Sequence, residues 1–253
     1  SGIAASVDCN NRWVSLDPFR GSIAAVAESA RNVSCVGALP VAITNNLNFA
    51  SPETEIGYWQ LSRACDGISI ACEALETPVT GGNVSLYNES IDEEGNKKPI
   101  QPTPVIGMVG ILDNVKKAVS SGWKNINDEI WIIGSRDSGL TLGATSYLEY
   151  FHGQVTGRPP SLNLIDEKLC QFFIRNGILN SLIISSHDVS DGGLAIALAE
   201  ACILSEKGAS INLIGEERKD NLLFSEGGSR IIFSIPHMKK NEWLKFVSEE
   251  SKN

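Results

Sequence analysis

The chain has 253 residues, of which 42% are hydrophobic and 20% charged, as is usual for a globular protein with a substantial core. Its formal net charge of −9 disfavours a nucleic-acid partner, although a single nucleotide can still bind through Mg²⁺ and backbone N–H groups. The sequence has no membrane-length apolar run and no signal-peptide pattern at its first residues. It therefore predicts a cytoplasmic protein that contacts neither nucleic acid nor membrane.

The cysteines also favour a reducing cytoplasm, because all six are dispersed and none has the Cys-x-x-Cys spacing of zinc sites. In that compartment the three matches to the Asn-x-Ser glycosylation signal, at Asn32, Asn83 and Asn88, have no meaning. We therefore expect free thiols.

The first part of the chain predicts a β-α-β-α-β series and one further strand. A strand at 3–8 ends on Asp8, and a helix follows from a cap at Ser22 to about residue 36. The polar run at 88–101 predicts a solvated hairpin or loop. The other predicted elements are a strand at 40–44, a helix opening at Pro52, a strand at 78–80 and a strong strand at 103–112.

Residues 113–128 are polar and form the best boundary between two α/β domains, at 1–114 and 125–253. The chain ends in SEESKN directly after a helical pattern, which predicts that the second domain is incomplete. Its predicted elements are a strand at 129–134, a helix at 138–151, a loop at 152–163, a helix at 164–180, a strand at 182–186, a helix at 194–205, short segments at 211–213 and 230–235, and an amphipathic segment at 239–247.

The stretch TPVTGGNVSLYNES, residues 77–90, places Gly81, Gly82, Asn83 and Ser85 after a short predicted strand. A glycine pair in that position is most often a tight turn. The pattern also suits ligand binding, because glycines let the backbone approach a phosphate and an amide oxygen can join a Mg²⁺ shell. No GK[ST] sequence follows, so the stretch is not a Walker A motif.

A second candidate site is HDVSDGG, residues 187–193, between an apolar strand and a helix. Ligands of α/β sheets bind at the carboxyl ends of strands, so Asp188 is a candidate metal ligand. Asp191 is equally compatible with capping the helix. His187 is more typical of a satisfied histidine at the rim of a core than of a catalyst.

Two further acidic residues, Asp8 and Glu226, lie in turn-like contexts, and their simplest interpretation is as turn or cap residues. The sequence shows no Ser/His/Asp order, no His-Glu-x-x-His motif and no carboxylate pair of the glycosidase kind. These motifs therefore give no catalytic residue to argue from.

Five segments follow one another in a characteristic order: SVDCNNRWVSLDPFRGSIAAVAESARNVSCVGALPVAITNNLNFASPE, TPVTGGNVSLYNE, TPVIGMVGIL, SSHDVSDGGLAIALAEA and NLLFSEGGSR. In this order they resemble the C-terminal half of the large synthetase subunit in the phosphoribosylformylglycinamidine synthase family, in its small multi-subunit form. The resemblance extends over essentially all 253 residues.

The resemblance implies an ATP-dependent ligase of purine biosynthesis. In this family ATP phosphorylates the amide oxygen of formylglycinamide ribonucleotide, and ammonia then displaces phosphate to give formylglycinamidine ribonucleotide. It implies Mg²⁺ as cofactor, and as partners the N-terminal half of the same subunit, a glutaminase subunit and a small bridging subunit. The implied fold is α/β (α+β), of the aminoimidazole ribonucleotide synthetase type: an N-terminal βαβαββ-like dimerising sheet domain and a C-terminal α/β sandwich domain.

Carried over residue by residue, the resemblance makes Gly82 an ATP contact, Asn83 a Mg²⁺ ligand and Ser85 a substrate contact. Asn45, in TNNLNF, occupies the position of an ATP-contacting aspartate. An asparagine can still hydrogen-bond a sugar or a base edge, but it carries no charge.

The family's catalytic histidines belong to the N-terminal half, and this chain has Asn10 where that half has a histidine. The resemblance implies that Asp8, Asn32, Asp188 and Glu226 line a degenerate second site, which holds a structural nucleotide in some relatives. That site is not expected to carry out the reaction.

Three hypotheses follow for the chain. It is half of the ligase, inactive as a fragment, and contributes to a site shared with the other half. Alternatively, it is a non-catalytic nucleotide-binding scaffold, or a stand-alone superfamily member such as a small-molecule kinase. Because the sheet face that pairs the two halves in the family would be open here, we expect the chain alone to form a homodimer.

Overall fold

The computed structural model describes residues 1–134, 140–213 and 217–251. Its first part contains one sheet, two long helices and a separate hairpin. The elements are β1 (Gly2–Asp8), α1 (Asn11–Leu16), α2 (Pro18–Cys35), β2 (Leu39–Asn48), α3 (Glu55–Leu75), β3 (Val79–Ser85), the hairpin strands β4 (Glu89–Ile91) and β5 (Lys97–Pro99), and β6 (Thr103–Leu112), with a 3₁₀ turn at Val115–Lys117.

The first sheet has the strand order β1-β6-β2-β3, in which only β2 and β3 run parallel. Residues on β6 alternate between its two faces, as the strand period requires. Ile106 and Met108 are fully buried in the core that α2 and α3 form on one face, whereas Val109 and Ile111 point to the other. The helices therefore cover one face only.

The uncovered face of this sheet is apolar. Ile3 and Val7 on β1 expose 80% and 70% of their surface, and Ile111 on β6 exposes 47%. Contiguous apolar patches on a protein surface typically mark an interaction site. The open face expected from the sequence is thus present, and the homodimer stays a prediction.

The second part of the chain contains a smaller antiparallel sheet with the order β7-β9-β8. Helices α5 and α8 pack on one side of it, and α6 packs on the other. The elements are β7 (Glu129–Ile133), α4 (Ser146–His152), α5 (Leu164–Leu179), β8 (Ser185–Asp188), α6 (Gly193–Ser205), α7 (Lys219–Phe224), β9 (Ile231–Ile235) and α8 (Lys240–Glu250), with a 3₁₀ turn at His237–Lys239.

Helix α2 joins the two parts, because its last turns pack against α5 and β8 of the second part. Cys35 at its end belongs to the same core as Ile174 and Ile178 on α5. Arg31 donates to Glu167 at 2.7 Å across this contact, and both side chains are buried. The carboxyl ends of β1 and β8 are thereby brought to the same region.

The α/β prediction is confirmed, and the strand at 103–112 has the predicted bounds. The start of α2 was predicted wrongly: it begins at Pro18, because the Asp17 carboxylate caps it by accepting the Arg20 N–H at 3.1 Å. Ser22 lies buried within the helix. The short helix α1 was not predicted at all.

The Gly-Gly-Asn-x-Ser motif is not a tight turn. Residues 79–85 all belong to β3, the edge strand of the first sheet. Other predicted bounds also differ. α3 begins at Glu55 after a Thr54 cap instead of at Pro52, and β8 lies at Ser185–Asp188 instead of 182–186. Residues 211–213 form no regular element. The helix predicted at 138–151 begins at Ser146, and residues 138 and 139 lie outside the described ranges.

Among the described helices, none combines the length and the apolar character that a bilayer crossing requires.

Candidate functional site

The carboxyl-terminal parts of the parallel strands β2 and β3 form a strip of polar side chains, which we call the edge-strand site. Asn46 pairs with Asn83 in the strand register, and the Asn83 Nδ2 donates to the Asn46 Oδ1 at 3.1 Å. Two residues further on, the Ser85 hydroxyl donates to the Asn88 Oδ1 at 3.1 Å. Since β3 is an edge strand, the Asn83 amide is exposed at the border of the sheet.

Gly82 is required by the position of the Asn45 side chain. The two residues are partners in the register, and a Cβ atom added at Gly82 would lie 2.1 Å from the Asn45 Oδ1. The same addition at Gly81 would meet nothing within 4 Å. The motif therefore contains one glycine with a steric role and one without.

The four residues assigned to this site lie on two faces of the sheet. Because side chains alternate along a strand, Asn45 and Gly82 share the face that carries the helices, while Asn83 and Ser85 share the opposite face. The structure thus brings Asn45 to Gly82 on one face of the sheet. Asn83 and Ser85 lie on the opposite face of the edge strand β3.

The residues of the predicted second site meet where the two sheets approach each other; we call Asp8, Asn32, Asp188 and Glu226 the buried acidic site. Asp8 ends β1 and accepts hydrogen bonds from Ser6 and from the Asn32 Nδ2, the latter at 3.0 Å. Asp188 ends β8 and is 2% exposed. Its Oδ2 has no hydrogen-bond partner among the described residues and lies 3.8 Å from the Arg31 Nε.

Glu226 is held by the start of α6 and the start of α4. Its Oε1 accepts the backbone N–H groups of Gly192 and Ser146, both at 2.7 Å. Gly192 has a φ of +79°, a backbone conformation that favours glycine, so the glycine pair here serves to present an N–H to this carboxylate. The carboxyl is almost fully buried.

Asp191 does not cap α6, so that interpretation was wrong. The N-cap residue is Gly192, which makes no side-chain cap bond. The Asp191 carboxylate instead accepts from the Asn10 Nδ2 at 2.9 Å and from Arg12 at 3.1 Å. Residues of the first sheet region thus bind the loop before α6.

Arg12 is the central cation beside the buried acidic site. Its guanidinium donates to Glu149 and to the Ser146 hydroxyl, both at 2.8 Å, in addition to Asp191. It also lies 3.8 Å from the Glu226 Oε2, which has no hydrogen-bond partner within the described ranges. A side chain of the protein therefore supplies the positive charge that these carboxylates face.

Glu28, on α2, belongs to the same cluster and was not predicted from the sequence. Burial raises its pKa to about 8, the carboxylates of Asp188 and Asp8 add to the shift, and Arg31 opposes it. The pKa of Asp8 is raised as well, chiefly by burial. A signal was present, because Glu28 and Arg31 are the charged residues in an otherwise small and apolar stretch of α2.

The buried acidic site is closed in this structure. The cavity that borders it at Glu226 has a volume of about 10 Å³, which is room for one water molecule at most. In the part of the chain that the structure describes, no three His, Cys, Asp or Glu side chains are arranged to hold a metal ion. The cavity is lined by Asn10, Trp13, Ala24, Glu28, Arg31, Leu162, Ser190, Asp191, Glu226 and Gly228.

His187 forms an ion pair at the rim, as the simpler interpretation predicted. Its Nε2 lies 2.9 Å from Glu200, and its Nδ1 lies 3.4 Å from the Asp188 Oδ1. Burial acts to lower its pKa, but the bonds to Asp188 and Glu200 outweigh burial and raise it. This favours a structural histidine engaged with two carboxylates.

Two family models match the chain. The model described as "AIR synthase related protein, N-terminal domain" matches residues 1–112, and the model described as "AIR synthase related protein, C-terminal domain" matches residues 125–252.

Similar curated proteins are phosphoribosylformylglycinamidine synthase subunits PurL of Prochlorococcus marinus. The protein of strain MIT 9301 is 71% identical over 254 residues, which cover 100% of this chain and 33% of the relative. That of strain MIT 9303 is 53% identical over 256 residues, covering 98% and 32%. The chain thus spans about a third of the length of the curated relatives it matches.

Solved structures share the fold at low sequence identity. PurL from T. maritima complexed with FGAR has a TM-score of 0.72 at 18% identity, over 98% of this chain and 40% of that one. The T. maritima PurL complexed with ATP has a TM-score of 0.70 at 18% identity, with coverages of 98% and 38%. The hydrogenase maturation protein HypE in complex with ATP has a TM-score of 0.64 at 19% identity, over 97% and 72%.

Proposed function

Because this chain belongs to the AIR synthase related protein family, we propose that it forms part of a phosphoribosylformylglycinamidine synthase. The observation that carries the proposal is the 71% identity to a PurL subunit over the whole chain. The reaction is the ATP-dependent conversion of formylglycinamide ribonucleotide and ammonia into formylglycinamidine ribonucleotide, ADP and phosphate. The enzyme class is therefore a C–N ligase.

We assign the chain's contribution to the edge-strand site. Gly82, with Asn45 beside it, would contact ATP on one face, and Asn83 and Ser85 would face metal and substrate on the other. A ligand can reach both faces only around the free edge of β3, and an edge strand with two exposed glycines permits that approach. Exposed backbone and amide groups on an edge strand support this assignment.

Asn83 fits a Mg²⁺ ion as one ligand of several. Its Nδ2 donates to Asn46, so its Oδ1, a hard oxygen, is the amide atom left to bind a metal. Mg²⁺ typically takes one or two protein ligands and completes its octahedron with waters and substrate phosphates. When bound with ATP, the ion would neutralise phosphate charge. The remaining protein ligands would come from the other half of the subunit.

The chain by itself is proposed to have no synthase activity. Asn10 and Arg12 stand at the buried acidic site, and both are engaged with Asp191. His187, beside Asp188, is engaged with Glu200, so we assign no proton-transfer role at this site. This site acts as a scaffold that holds the two sheets together, and Asp8, Asn32, Asp188 and Glu226 are its polar framework.

We further propose the partners and the compartment. The apolar face of the first sheet would pair with the N-terminal half of the same subunit, or with a second copy of this chain in its absence. A glutaminase subunit and a small bridging subunit would supply ammonia. A PurLQS structure from Thermotoga maritima, with a TM-score of 0.69 to this chain, is consistent with such an assembly. The compartment would be the cytoplasm.

The proposal is tested by calorimetric titration of the chain with ADP or ATP, with and without Mg²⁺. Mg²⁺-dependent binding that weakens with Asn83→Ala, but not with Asn96→Ala on the β4–β5 hairpin, would support the edge-strand site. Loss of binding with Asp188→Ala instead would assign the nucleotide to the buried acidic site. If neither site binds nucleotide, the chain serves as a scaffold and the edge-strand assignment fails for the isolated chain.

A further inference from the structure

Two asparagines outside the assigned ligand set contact the edge-strand site. Asn46 lies on β2 beside Asn83, its partner in the parallel register, and its Oδ1 accepts the Asn83 Nδ2 at 3.1 Å. Asn88 follows Ser85 by three residues, and its Oδ1 accepts the Ser85 hydroxyl at 3.1 Å. The two residues proposed to meet metal and substrate thus each donate a proton to a neighbouring asparagine.

The backbone fixes the orientation of the Asn88 amide. Its Nδ2 donates to the Ser85 carbonyl oxygen at 2.8 Å and to the Phe49 carbonyl oxygen at 3.2 Å. Carbonyl oxygens only accept, so a flipped amide would set its own oxygen against both of them. The Asn88 Oδ1 is therefore the atom beside the Ser85 hydroxyl, and since an amide oxygen cannot donate, the hydroxyl is the donor of that bond.

Asn46 stands in the same relation to Asn83. An asparagine amide binds a hard metal ion through its oxygen, because its NH₂ group is a donor only. A half-turn about the last side-chain bond would exchange the two ends, so an asparagine ligand needs a neighbour that selects one of them. The Asn46 Oδ1 makes that selection, because it can bond the Nδ2 of Asn83 but not the Oδ1.

We propose that Asn46 and Asn88 are positioning residues that set the hydrogen-bond polarity of the edge-strand site. Each accepts a proton, so that Asn83 and Ser85 offer oxygen lone pairs to their ligands. The site then takes a cation at Asn83 and, at Ser85, a ligand group that carries an N–H or O–H. This inference rests on the proposed function, because it deepens the roles given there to Asn83 and Ser85.

Neutron diffraction from crystals of the deuterium-exchanged chain tests the polarity without any ligand. We expect the deuterium on the Ser85 oxygen to point at Asn88, and the deuterated amide nitrogen of Asn83 to point at Asn46. A Ser85 deuterium directed elsewhere, or an Asn46 nitrogen that donates to the Asn83 oxygen, would overturn the proposal. The result does not depend on whether the chain binds nucleotide.

Metal affinity tests the positioning role of Asn46. The probe is Mn²⁺ in the presence of ADP, and electron paramagnetic resonance measures the fraction bound at the site that Asn83→Ala removes. Asn46→Leu keeps the size of the side chain but removes the acceptor, and it should weaken Mn²⁺ binding about tenfold, as the loss of a partner that orients a metal ligand typically does. Asn46→Asp keeps the acceptor and should not weaken binding.

The matched control is Asn48→Leu, on the same face of the same strand. Asn48 donates to the backbone carbonyl oxygens of Asn46 and Thr103, so its replacement removes hydrogen bonds without removing the acceptor of Asn83. Mn²⁺ affinity should change by less than about twofold. A loss equal to that of Asn46→Leu would contradict a specific role for the Asn46 side chain.

An Asn83→Asp background separates orientation from a structural role. A carboxylate has two equivalent oxygens and needs no neighbour to select one, so adding Asn46→Leu should change Mn²⁺ affinity by less than about twofold. An equal loss in both backgrounds would mean that Asn46 supports the strand pair only, and would overturn the proposal. If Asn83→Ala itself leaves Mn²⁺ binding unchanged, the metal assignment of the proposed function fails and this inference fails with it. If Asn83→Ala weakens binding and Asn46→Leu does not, only this inference fails.

Discussion

Arg31 on α2 and Glu167 on α5 form an ion pair of 2.7 Å in which the side chains are only 5% and 0% exposed. Removing one member of a buried pair leaves an uncompensated charge in a low-dielectric interior, which typically costs about 3–5 kcal/mol. We therefore expect Glu167→Ala to lower the free energy of unfolding by about that amount, because Arg31 and the Gln171 amide both lose their acceptor. Urea denaturation measures the change.

The matched control is Lys168→Ala, one residue along the same helix. Lys168 pairs with Glu76 at a similar distance of 2.8 Å, but both side chains are exposed, and solvent screens the pair. No measurable change in stability is expected. Equal losses for the two variants would mean that the Arg31–Glu167 pair does not join the two sheet regions.

The raised pKa of Glu28 predicts how the free energy of unfolding depends on pH. Its folded pKa of about 8 lies above the ordinary value of 4.5, so the folded state binds this proton more tightly than the unfolded state does. The stabilisation is complete below about pH 4.5 and is lost as the pH rises to about 8. Asp8 and Glu226, whose pKa values are also raised chiefly by burial, act with the same sign.

Glu28→Gln keeps a neutral side chain of the same shape at all pH values. The decline in stability of the variant between about pH 4.5 and about pH 8 should therefore be flatter than that of the unmodified chain. Chemical denaturation at a series of pH values measures both slopes. Identical slopes in the two proteins would show that Glu28 does not titrate in this range.

Gly81 and Gly82 offer a paired test of the edge-strand site. A Cβ at Gly82 would lie 2.1 Å from the Asn45 side chain and 2.8 Å from its carbonyl oxygen, whereas one at Gly81 meets nothing. Gly82→Ala should therefore displace Asn45, destabilise the chain by about 1–3 kcal/mol and weaken any nucleotide binding. Gly81→Ala should leave stability within about 0.5 kcal/mol. Two variants with equal melting temperatures would contradict the packing of Asn45 over Gly82.

The bounds of β8 and the turn expected at Gly81-Gly82 were predicted wrongly, but some strands were predictable, because a run of apolar residues is a local signal. β6 was found with its bounds for that reason. Helix starts were less predictable, because Ser22, Asp17 and Thr54 are all of residue types that favour caps. For α2, only tertiary burial decides between Asp17 and Ser22 as the cap. For α3, the cap is Thr54.

The composition of the buried acidic site could be predicted only in part. Asp8, Asp188 and Glu226 are far apart in sequence, and the contact between α2 and α5 brings them together. Whether a carboxylate there faces a metal or a guanidinium depends on where Arg12 points, and no local pattern records that. The assignment of Asp191 as a helix cap was wrong for the same reason, because its partners are Asn10 and Arg12.

Removing the Arg12 side chain is expected to let the neighbouring carboxylates bind a cation. Its guanidinium neutralises Glu149, Asp191 and Glu226, and its removal leaves their carboxylate oxygens, which are hard ligands, without a cation. Arg12→Ala should be destabilised by about 1.5–3 kcal/mol, the typical contribution of hydrogen bonds to charged groups, and millimolar Mg²⁺ should restore part of its melting temperature. Arg20→Ala, which removes a partly exposed ion pair to Asp17, should show no response to Mg²⁺. An equal Mg²⁺ effect on both variants would contradict a cation role for Arg12.

The apolar face of the first sheet predicts self-association of the isolated chain. Val7 is 70% exposed on β1, an edge strand of that face, and a lysine there would place a charge within any interface formed by the face. Val7→Lys should convert a dimer into a monomer in light scattering at micromolar concentrations. Ile91→Lys, at a 75% exposed position on the separate β4–β5 hairpin, should leave the dimer intact. A monomer in the unmodified chain, or a dimer that both variants disrupt equally, would show that the open face does not mediate pairing.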